Sequence, residues 1–115
     1  MHTEIKEENG VVVLSVDGDI LQENVEIFKT QLDKLFKEGK KLLILDMVHC
    51  HYVTSMSLSA IFHAKKRFRE AGGDIRISGI NRLIRNLFEL TNLKQAVDIF
   101  EDLPSAISSF LKKNS

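Results

Sequence analysis

The apolar positions of the chain predict short strands that alternate with amphipathic helices. Residues 5–8 and 11–16 flank Asn9-Gly10, a dipeptide that favours a type I′ hairpin because both of its residues accept positive φ. Residues 42–45 form an unbroken apolar run, which is typical of a central strand covered on both faces. The predicted strands are 5–8, 11–16, 42–45, 75–78 and 97–100.

Between these strands, apolar residues recur at the spacing of helical faces. Gly39 is a natural stop for the first helix, and Asn81 and Asp102 can cap the third and fourth. Pro104 suits the first turn of the fourth helix. The four predicted faces are Val25, Phe28, Leu32, Leu35 and Phe36; Leu58, Ile61, Phe62, Lys65 and Phe68; Leu83, Ile84, Leu87 and Phe88; and Ala106, Ile107, Phe110 and Leu111. The order β-β-α-β-α-β-α-β-α predicts an α/β fold with a mixed, mainly parallel sheet in one domain over residues 1–115.

The composition of the chain limits the kinds of molecule that it is expected to bind and the compartment in which it is expected to act. Lysine plus arginine number 16 and aspartate plus glutamate 16, so the formal net charge is zero, which argues against nucleic acid as a partner. No apolar run approaches the ~20 residues of a membrane span, so no direct membrane insertion is expected. The N-terminal residues lack a signal-peptide pattern, and the one cysteine, Cys50, suits a reducing compartment. We therefore expect a cytoplasmic protein.

A run of hydroxyl side chains lies between the predicted central strand and the second helix. Thr54, Ser55, Ser57 and Ser59 surround a single methionine, Met56. In open sheets of this type, binding sites gather at the carboxyl ends of strands. Backbone N–H groups at a helix N-terminus also favour anions or a covalent phosphate. This turn is therefore the candidate functional site.

Four segments of the chain share their order and spacing with one known family. Val-Asp-Gly-Asp-Ile at 16–20 is similar to a strand end of that family, and Leu-Ile-Leu-Asp at 43–46 to its central strand. Ala-Gly-Gly-Asp-Ile at 71–75 and the helix and turn at 83–93 are similar to two further segments. The chain thus resembles the STAS domain, the fold of bacterial anti-sigma-factor antagonists, over essentially its whole length.

The signature turn of that family carries an aspartate, two serines, a glycine and a leucine, and the resemblance places it on residues 54–58. In members that switch, the second hydroxyl is phosphorylated by a partner kinase that is also the anti-sigma factor. That position is Met56, whose thioether cannot accept a phosphoryl group, while Thr54 and Ser57 replace the aspartate and the glycine. We expect Thr54 to cap the helix, and Ser55 or Ser57 to be the candidates for a displaced phosphoacceptor.

The resemblance implies a non-enzymatic anti-sigma-factor antagonist whose partner is an anti-sigma factor or serine kinase of the histidine-kinase-like ATPase type. Without the acceptor hydroxyl, the protein is expected to stay in a binding-competent state or to use another regulatory input. The expected partner-binding residues are Asp19, Leu21, Gln22, Asn24, Thr54, Ser55, Met56, Ser57 and Ser59. The alternatives are a STAS regulatory or structural subunit of an ABC lipid-transport complex or stress-signalling scaffold, and a small-ligand site at the turn.

The sequence supports a metal site or an enzyme active site less well than it supports a binding protein. The segment His49-Cys50-His51 contains candidate metal ligands, and His63 is the only nearby residue that could join them. A closed zinc site needs about four ligands around the metal. We therefore favour a solvated loop and expect no metal and no cofactor. The chain contains neither a nucleophile elbow nor a phosphate-binding loop motif. The basic residues expected on the solvated face of the second helix are Lys65, Lys66, Arg67 and Arg69.

Overall fold

A computed structural model of the chain describes residues 1–92 and 96–111. Within these residues, five strands and four helices follow one another in the predicted order. The strands are β1 (His2–Glu8), β2 (Val11–Asp17), β3 (Leu42–His49), β4 (Asp74–Ser78) and β5 (Ile99–Phe100). The helices are α1 (Val25–Lys37), α2 (Ser55–Glu70), α3 (Arg82–Leu90) and α4 (Leu103–Leu111). The α/β prediction is confirmed, although β5 is shorter than predicted, and Leu93, the last residue of the segment 83–93, lies outside the described residues.

The five strands form one mixed sheet in the order β1-β2-β3-β4-β5. β1 runs antiparallel to β2, and the other neighbouring strands are parallel. The carboxyl ends of β2 and β3 are therefore side by side, and Asp17 pairs with His49 there after a shift in register. β3 lies at the centre of the sheet, as its unbroken apolar run predicted, and Leu43, Ile44 and Leu45 are fully buried.

The hairpin between β1 and β2 has the geometry that its sequence predicted. Asn9 and Gly10 both adopt positive φ, at 54° and 82°, as a type I′ turn requires. The turn sets Glu8 opposite Val11, and this register continues along the ladder to His2 opposite Asp17. β1 is thus fixed along its length at the edge of the sheet.

The sheet is covered on both faces. Val12, Leu14 and Val16 of β2 join the larger apolar cluster, to which α1, α2 and α3 contribute. Val11 and Val13 point to the other face, where Ala106 of α4 is buried against them in a second cluster. Because successive residues of a strand point to opposite faces, one strand contributes to both clusters. None of the helices within residues 1–92 and 96–111 is long and apolar enough to cross a membrane.

Three positions differ from the predicted helix faces, and a fourth, Lys65, differs from its expected solvation. Phe62, Leu83 and Leu111 are exposed, because each lies at the margin of its apolar face, where a rotation of about 100° per residue carries it outward. Helical spacing grouped Lys65 with the apolar face of α2, whereas its charge was expected to be solvated; the side chain is buried. Its Nζ lies 2.7 Å from Oδ1 of Asp74, so an opposite charge compensates the buried ammonium.

Side-chain caps fix the starts of the last two helices. Oδ1 of Asn81 accepts a hydrogen bond of 2.8 Å from the Ile84 N–H, and Oδ1 of Asp102 accepts one of 2.8 Å from the Ser105 N–H. Both predicted caps are thus confirmed. The hydrogen bonds from Ser105 also hold the pKa of Asp102 below its ordinary value, because they stabilise the carboxylate.

Candidate functional site

The hydroxyl run forms the start of α2, directly after the segment that follows β3. Thr54 has an extended backbone, with φ −89° and ψ 168°, and its Oγ1 accepts a hydrogen bond of 3.2 Å from the Ser57 N–H. This is the N-cap that the sequence predicted for Thr54. It satisfies one of the backbone N–H groups that the first turn of the helix leaves without a helical partner.

Ser57 points into the protein and is completely buried. Its hydroxyl donates a hydrogen bond of 2.9 Å to the carbonyl oxygen of Ile20, and its Oγ lies 2.9 Å from Oγ1 of Thr54. A hydroxyl that is enclosed in this way meets neither a kinase nor a partner surface. Ser57 was a candidate phosphoacceptor and an expected partner-binding residue, but its buried hydroxyl is not accessible for either role. It instead holds the start of α2 to the loop at Ile20.

Ser55, Met56 and Ser59 point outward on the first turns of α2. Both serines are exposed, and the Met56 side chain retains 51% of its accessible surface. An apolar side chain exposed to this extent at a helix start is available for contact with another molecule. Of the two serines proposed as displaced phosphoacceptors, only Ser55 has an accessible hydroxyl.

The loop 18–24 lies against the segment that leads into α2. The Ile20 N–H donates a hydrogen bond of 3.1 Å to the carbonyl of Tyr52, and the Thr54 N–H donates one of 3.2 Å to the carbonyl of Ile20. Ile20 and Val53 form an isolated parallel bridge. The structure thus brings together the two segments that contain the expected partner-binding residues.

Two polar residues of this loop are occupied by internal hydrogen bonds. Oδ1 of Asp19 accepts hydrogen bonds of 3.1 Å from the N–H groups of both His51 and Tyr52. The Asn24 side chain accepts a hydrogen bond from the Leu21 N–H at 2.8 Å and donates one to the Asp19 carbonyl at 3.1 Å. Asp19 and Asn24 therefore position the loop. Half-buried Leu21 and exposed Gln22 are its outward-facing members among the expected residues.

A groove of about 540 Å³ runs between α1 and α2 and begins beside Met56. Small side chains, Ala60 and Ala64, contribute to its lining and let the two helices approach. The residues that line the groove are Lys29, Thr30, Leu32, Asp33, Met56, Ser59, Ala60, His63, Ala64 and Arg67. Sequence reasoning did not assign α1 to the site, because no local pattern shows which helix packs beside α2.

An ion-pair network crosses the far end of this groove. Asp33 lies 3.1 Å from Lys37 and 3.0 Å from Arg67, and hydrogen bonds from Lys37 and then Arg67 lower the pKa of its carboxyl. The Arg67 guanidinium also stacks over the Phe36 ring, 4.4 Å from the centroid. Arg67, which was expected simply to be solvated, therefore links the two helices that border the groove.

The His49-Cys50-His51 segment has no metal-site geometry. Cys50 is buried, with its thiol directed at the Tyr52 carbonyl 3.6 Å away, while both histidines are exposed. Burial raises the pKa of the Cys50 thiol to about 11, because it disfavours the thiolate. Over residues 1–92 and 96–111, no three His, Cys, Asp or Glu side chains converge as metal ligands.

Comparison with known proteins finds similarity along nearly the whole chain. A family model described as STAS domain matches residues 2–106. A Thermotoga maritima protein, named provisionally as an anti-sigma factor antagonist, is 25% identical over 104 residues, which cover 90% of this chain and 92% of the relative. The anti-sigma-B factor antagonist of Bacillus subtilis is 21% identical over 99 residues, covering 86% and 90%. A crystal structure of a Thermotoga maritima protein with the same provisional name has a TM-score of 0.91 at 23% identity, covering 96% of this chain and 95% of that one.

Proposed function

The chain belongs to the STAS domain family, and on that premise we propose that it is an anti-sigma-factor antagonist that acts by binding and not by catalysis. The observation that carries the proposal is Met56, exposed at the start of α2 where the family's switching members carry a phosphorylated hydroxyl. Its relatives named as anti-sigma factor antagonists support the same role.

The proposed contact surface, which we call the turn face, combines Ser55, Met56 and Ser59 of α2 with Leu21 and Gln22 of the adjoining loop. These side chains are exposed or half-buried, and the backbone bonds at Ile20 hold the two segments together. Three further residues set the geometry of this surface from behind: Thr54, Asp19 and Asn24.

Met56 makes the turn face resemble the unphosphorylated state of a switching relative. The side chain has no hydroxyl, so no phosphate ester forms at this position and the helix start stays uncharged there. In the family, the unphosphorylated antagonist binds the anti-sigma factor and so releases the sigma factor. We therefore propose that this protein is held in the binding-competent state and that its abundance sets how much anti-sigma factor is sequestered.

The proposed partner is an anti-sigma factor of the histidine-kinase-like ATPase type. An apolar Met56 beside small hydroxyl residues suits a partner surface that is not strongly charged. A phosphate or an aspartate at position 56 would need a partner cation or full hydration, so it would oppose the same contact. A negative charge placed at this residue is therefore the sharpest probe of the interface.

The experiment uses purified candidate anti-sigma factors of this type from the source organism, with binding measured by calorimetry and phosphorylation by mass spectrometry. The wild-type protein is expected to bind one of them and to gain no phosphate in the presence of ATP. Met56→Ser is expected to bind the same partner and to be phosphorylated at position 56. Ser108→Ala, an exposed position of α4 outside the turn face, serves as the surface control and should change neither result.

Two outcomes would contradict different parts of the proposal. Stoichiometric phosphorylation of Ser55 in the wild-type protein would contradict the locked state but keep the antagonist role. Failure of the wild-type protein and of Met56→Ser to bind any candidate kinase would contradict the antagonist role itself. In that case, the missing acceptor at Met56 would favour the alternative of a STAS subunit in an ABC lipid-transport complex or a stress-signalling scaffold, which co-purification would identify.

A further inference from the structure

The outer edge of β1 is a second surface, separate from the turn face. β1 is seven residues long and pairs with β2, and no other strand within residues 1–92 and 96–111 is bonded to it. Every residue of β1 except Thr3 is exposed. An open edge of this length presents unpaired backbone N–H and C=O groups to any strand that matches it.

The hairpin register shows which backbone groups point outward. In a two-residue hairpin the residues that flank the turn, here Glu8 and Val11, exchange both of their backbone hydrogen bonds. Because hydrogen-bonded and non-hydrogen-bonded pairs alternate, the backbone groups of Glu8, Lys6 and Glu4 are directed at β2. The N–H and C=O groups of Thr3, Ile5 and Glu7 are therefore directed at solvent.

β1 is held to its own domain by side chains that leave these groups free. The Gln31 amide of α1 donates a hydrogen bond of 2.6 Å to Oγ1 of Thr3. Glu7 pairs with Lys40 at 2.9 Å. Both contacts anchor the strand through its side chains and not through its outer backbone. The outer edge of β1 is thus held in place, with its outward N–H and C=O groups available to pair with another strand.

We propose that β1 pairs antiparallel with β1 of a second copy of this chain, about a two-fold axis at Ile5. Ile5 then faces Ile5 of the second copy, and Thr3 faces Glu7, in hydrogen-bonded positions. Glu4 faces Lys6 of the second copy twice, at non-hydrogen-bonded positions, where cross-strand side chains come closest. His2 faces Glu8 of the second copy. Ile5 is thus the one residue of β1 that faces its own equivalent, and none of the other six faces a residue of like charge.

Charge complementarity selects this occupant and this register. Charged residues on an edge strand usually prevent edge-to-edge pairing, because a random partner places like charges together. Here, when the sequence His-Thr-Glu-Ile-Lys-Glu-Glu is paired antiparallel with a second copy of itself, opposite charges face each other at both Glu4–Lys6 positions. A two-fold axis at Thr3 or Glu7 would shorten the ladder, and an axis at Glu7 would also set Glu7 against itself.

Ile5 gives the contact an apolar centre. The side chain retains 56% of its accessible surface and lines a small cavity of about 190 Å³ together with Val12 and Leu35. Two such side chains across the axis would shield each other from water. The dimer would have one ten-stranded sheet, and because the pairing keeps like faces together, both α1–α2 grooves would lie on the same side.

Charge swaps test this pairing on the full chain. Sedimentation velocity over roughly 1 μM to 1 mM should show a monomer–dimer equilibrium for the wild-type protein. Glu4→Lys and Lys6→Glu, each alone, place like charges at both cross-strand positions and should weaken the dimer by about tenfold. An equimolar mixture of the two variants restores both opposite-charge pairs and should dimerise again as a heterodimer. Glu70→Lys, on the exposed end of α2, is the control for net charge and should dimerise like the wild type.

A second pair of variants tests the backbone contact. Ile5→Pro removes an N–H that points outward and not into the β2 ladder, so the monomer should keep its circular dichroism spectrum and lose the dimer. Ile5→Val keeps the N–H and should dimerise. A wild-type protein that is monomeric throughout the concentration range would overturn the proposal and leave the edge to a strand of another protein. A dimer that withstands Ile5→Pro, or that the mixed charge variants fail to restore, would also overturn it.

Discussion

At the scale of single residues, the hydroxyl run divides into two functions that composition alone does not separate. Thr54 and Ser57 turn inward, where one caps α2 and the other bonds the Ile20 carbonyl. Ser55 and Ser59 turn outward and are exposed. The helical rotation of about 100° per residue explains the division, since Ser55 and Ser59 each lie two residues, or about 200°, from buried Ser57 and so fall on the opposite side of the helix.

The buried hydroxyl of Ser57 is expected to stabilise the fold. Ser57→Ala removes its hydrogen bond to Ile20 and leaves a small void, so the free energy of unfolding should fall by about 1–2 kcal/mol. Ser59→Ala, on the exposed face of the same helix, should change it by less than about 0.5 kcal/mol. Urea unfolding followed by circular dichroism measures both, and equal midpoints for the two variants would show that the buried bond contributes nothing.

The Cys50 thiol is expected to be unreactive in the folded protein. It is buried, and its pKa is raised to about 11, so the thiolate that reacts with alkylating agents is scarce at neutral pH. Iodoacetamide labelling at pH 8, followed by mass spectrometry, should be slow for the native chain and fast in urea. Rapid labelling of the native chain would contradict the buried position.

The same pKa predicts a pH dependence of stability. A thiol whose pKa is raised from 9.0 to about 11 in the folded state favours the protonated form. Its contribution to stability is therefore constant below pH 9 and is lost as pH rises from 9 towards 11, where the unfolded chain ionises first. Urea midpoints across this range should fall more steeply for the wild type than for Cys50→Ala, which has no thiol to ionise.

At the scale of secondary-structure elements, a buried ion pair joins α2 to β4. Lys65 Nζ lies 2.7 Å from Asp74 Oδ1 and also donates to the Ile75 carbonyl at 3.2 Å. Asp74 has further partners, since its Oδ2 lies 3.2 Å from Arg76 Nε and its Oδ1 accepts from the Ile75 N–H at 2.8 Å. Among the residues that the structure describes, the carboxylate therefore has several positive or donor groups around it, whereas the ammonium has one charged partner.

This asymmetry predicts unequal costs for breaking the pair. Asp74→Ala leaves a buried ammonium without its counter-charge and should lower the free energy of unfolding by about 3–5 kcal/mol. Lys65→Met keeps the volume and leaves Asp74 with Arg76, so its cost should be clearly smaller. Denaturant unfolding of both variants and of Arg76→Met provides the measurement, and an equal loss for Asp74→Ala and Lys65→Met would contradict the assigned roles.

The elements themselves could be predicted because each has a local cause. The Asn9-Gly10 turn, the unbroken β3 run and the Asn81 and Asp102 caps all act within a few residues of one another. The ion pair that compensates the buried charge of Lys65 could not be predicted in this way, because its partner Asp74 is nine residues away across the end of a helix. The contribution of α1 to the groove beside Met56 likewise depends on tertiary packing.

At the scale of the whole molecule, the sheet order separates two proposed surfaces. The turn face follows β3, the central strand, whereas the outer edge of β1 lies two strands away. The two residue sets are disjoint, and the two-fold pairing at Ile5 would place the two turn faces at opposite ends of the extended sheet, because antiparallel pairing reverses the direction of every strand in the second copy. Partner binding and self-association should therefore be independent, and two binding sites per dimer should be available.

Paired measurements on two variants test this independence. Met56→Asp places a negative charge in the turn face, so its affinity for the anti-sigma factor should fall at least tenfold while its sedimentation matches the wild type. Glu4→Lys should show the reverse, with a weakened dimer and an unchanged affinity for the partner. If Glu4→Lys lost both properties while staying folded, the two surfaces would be coupled through the sheet. The affinity for the anti-sigma factor would then differ between monomer and dimer. By linkage, the dimerisation constant would differ by the same factor between free and partner-bound chains.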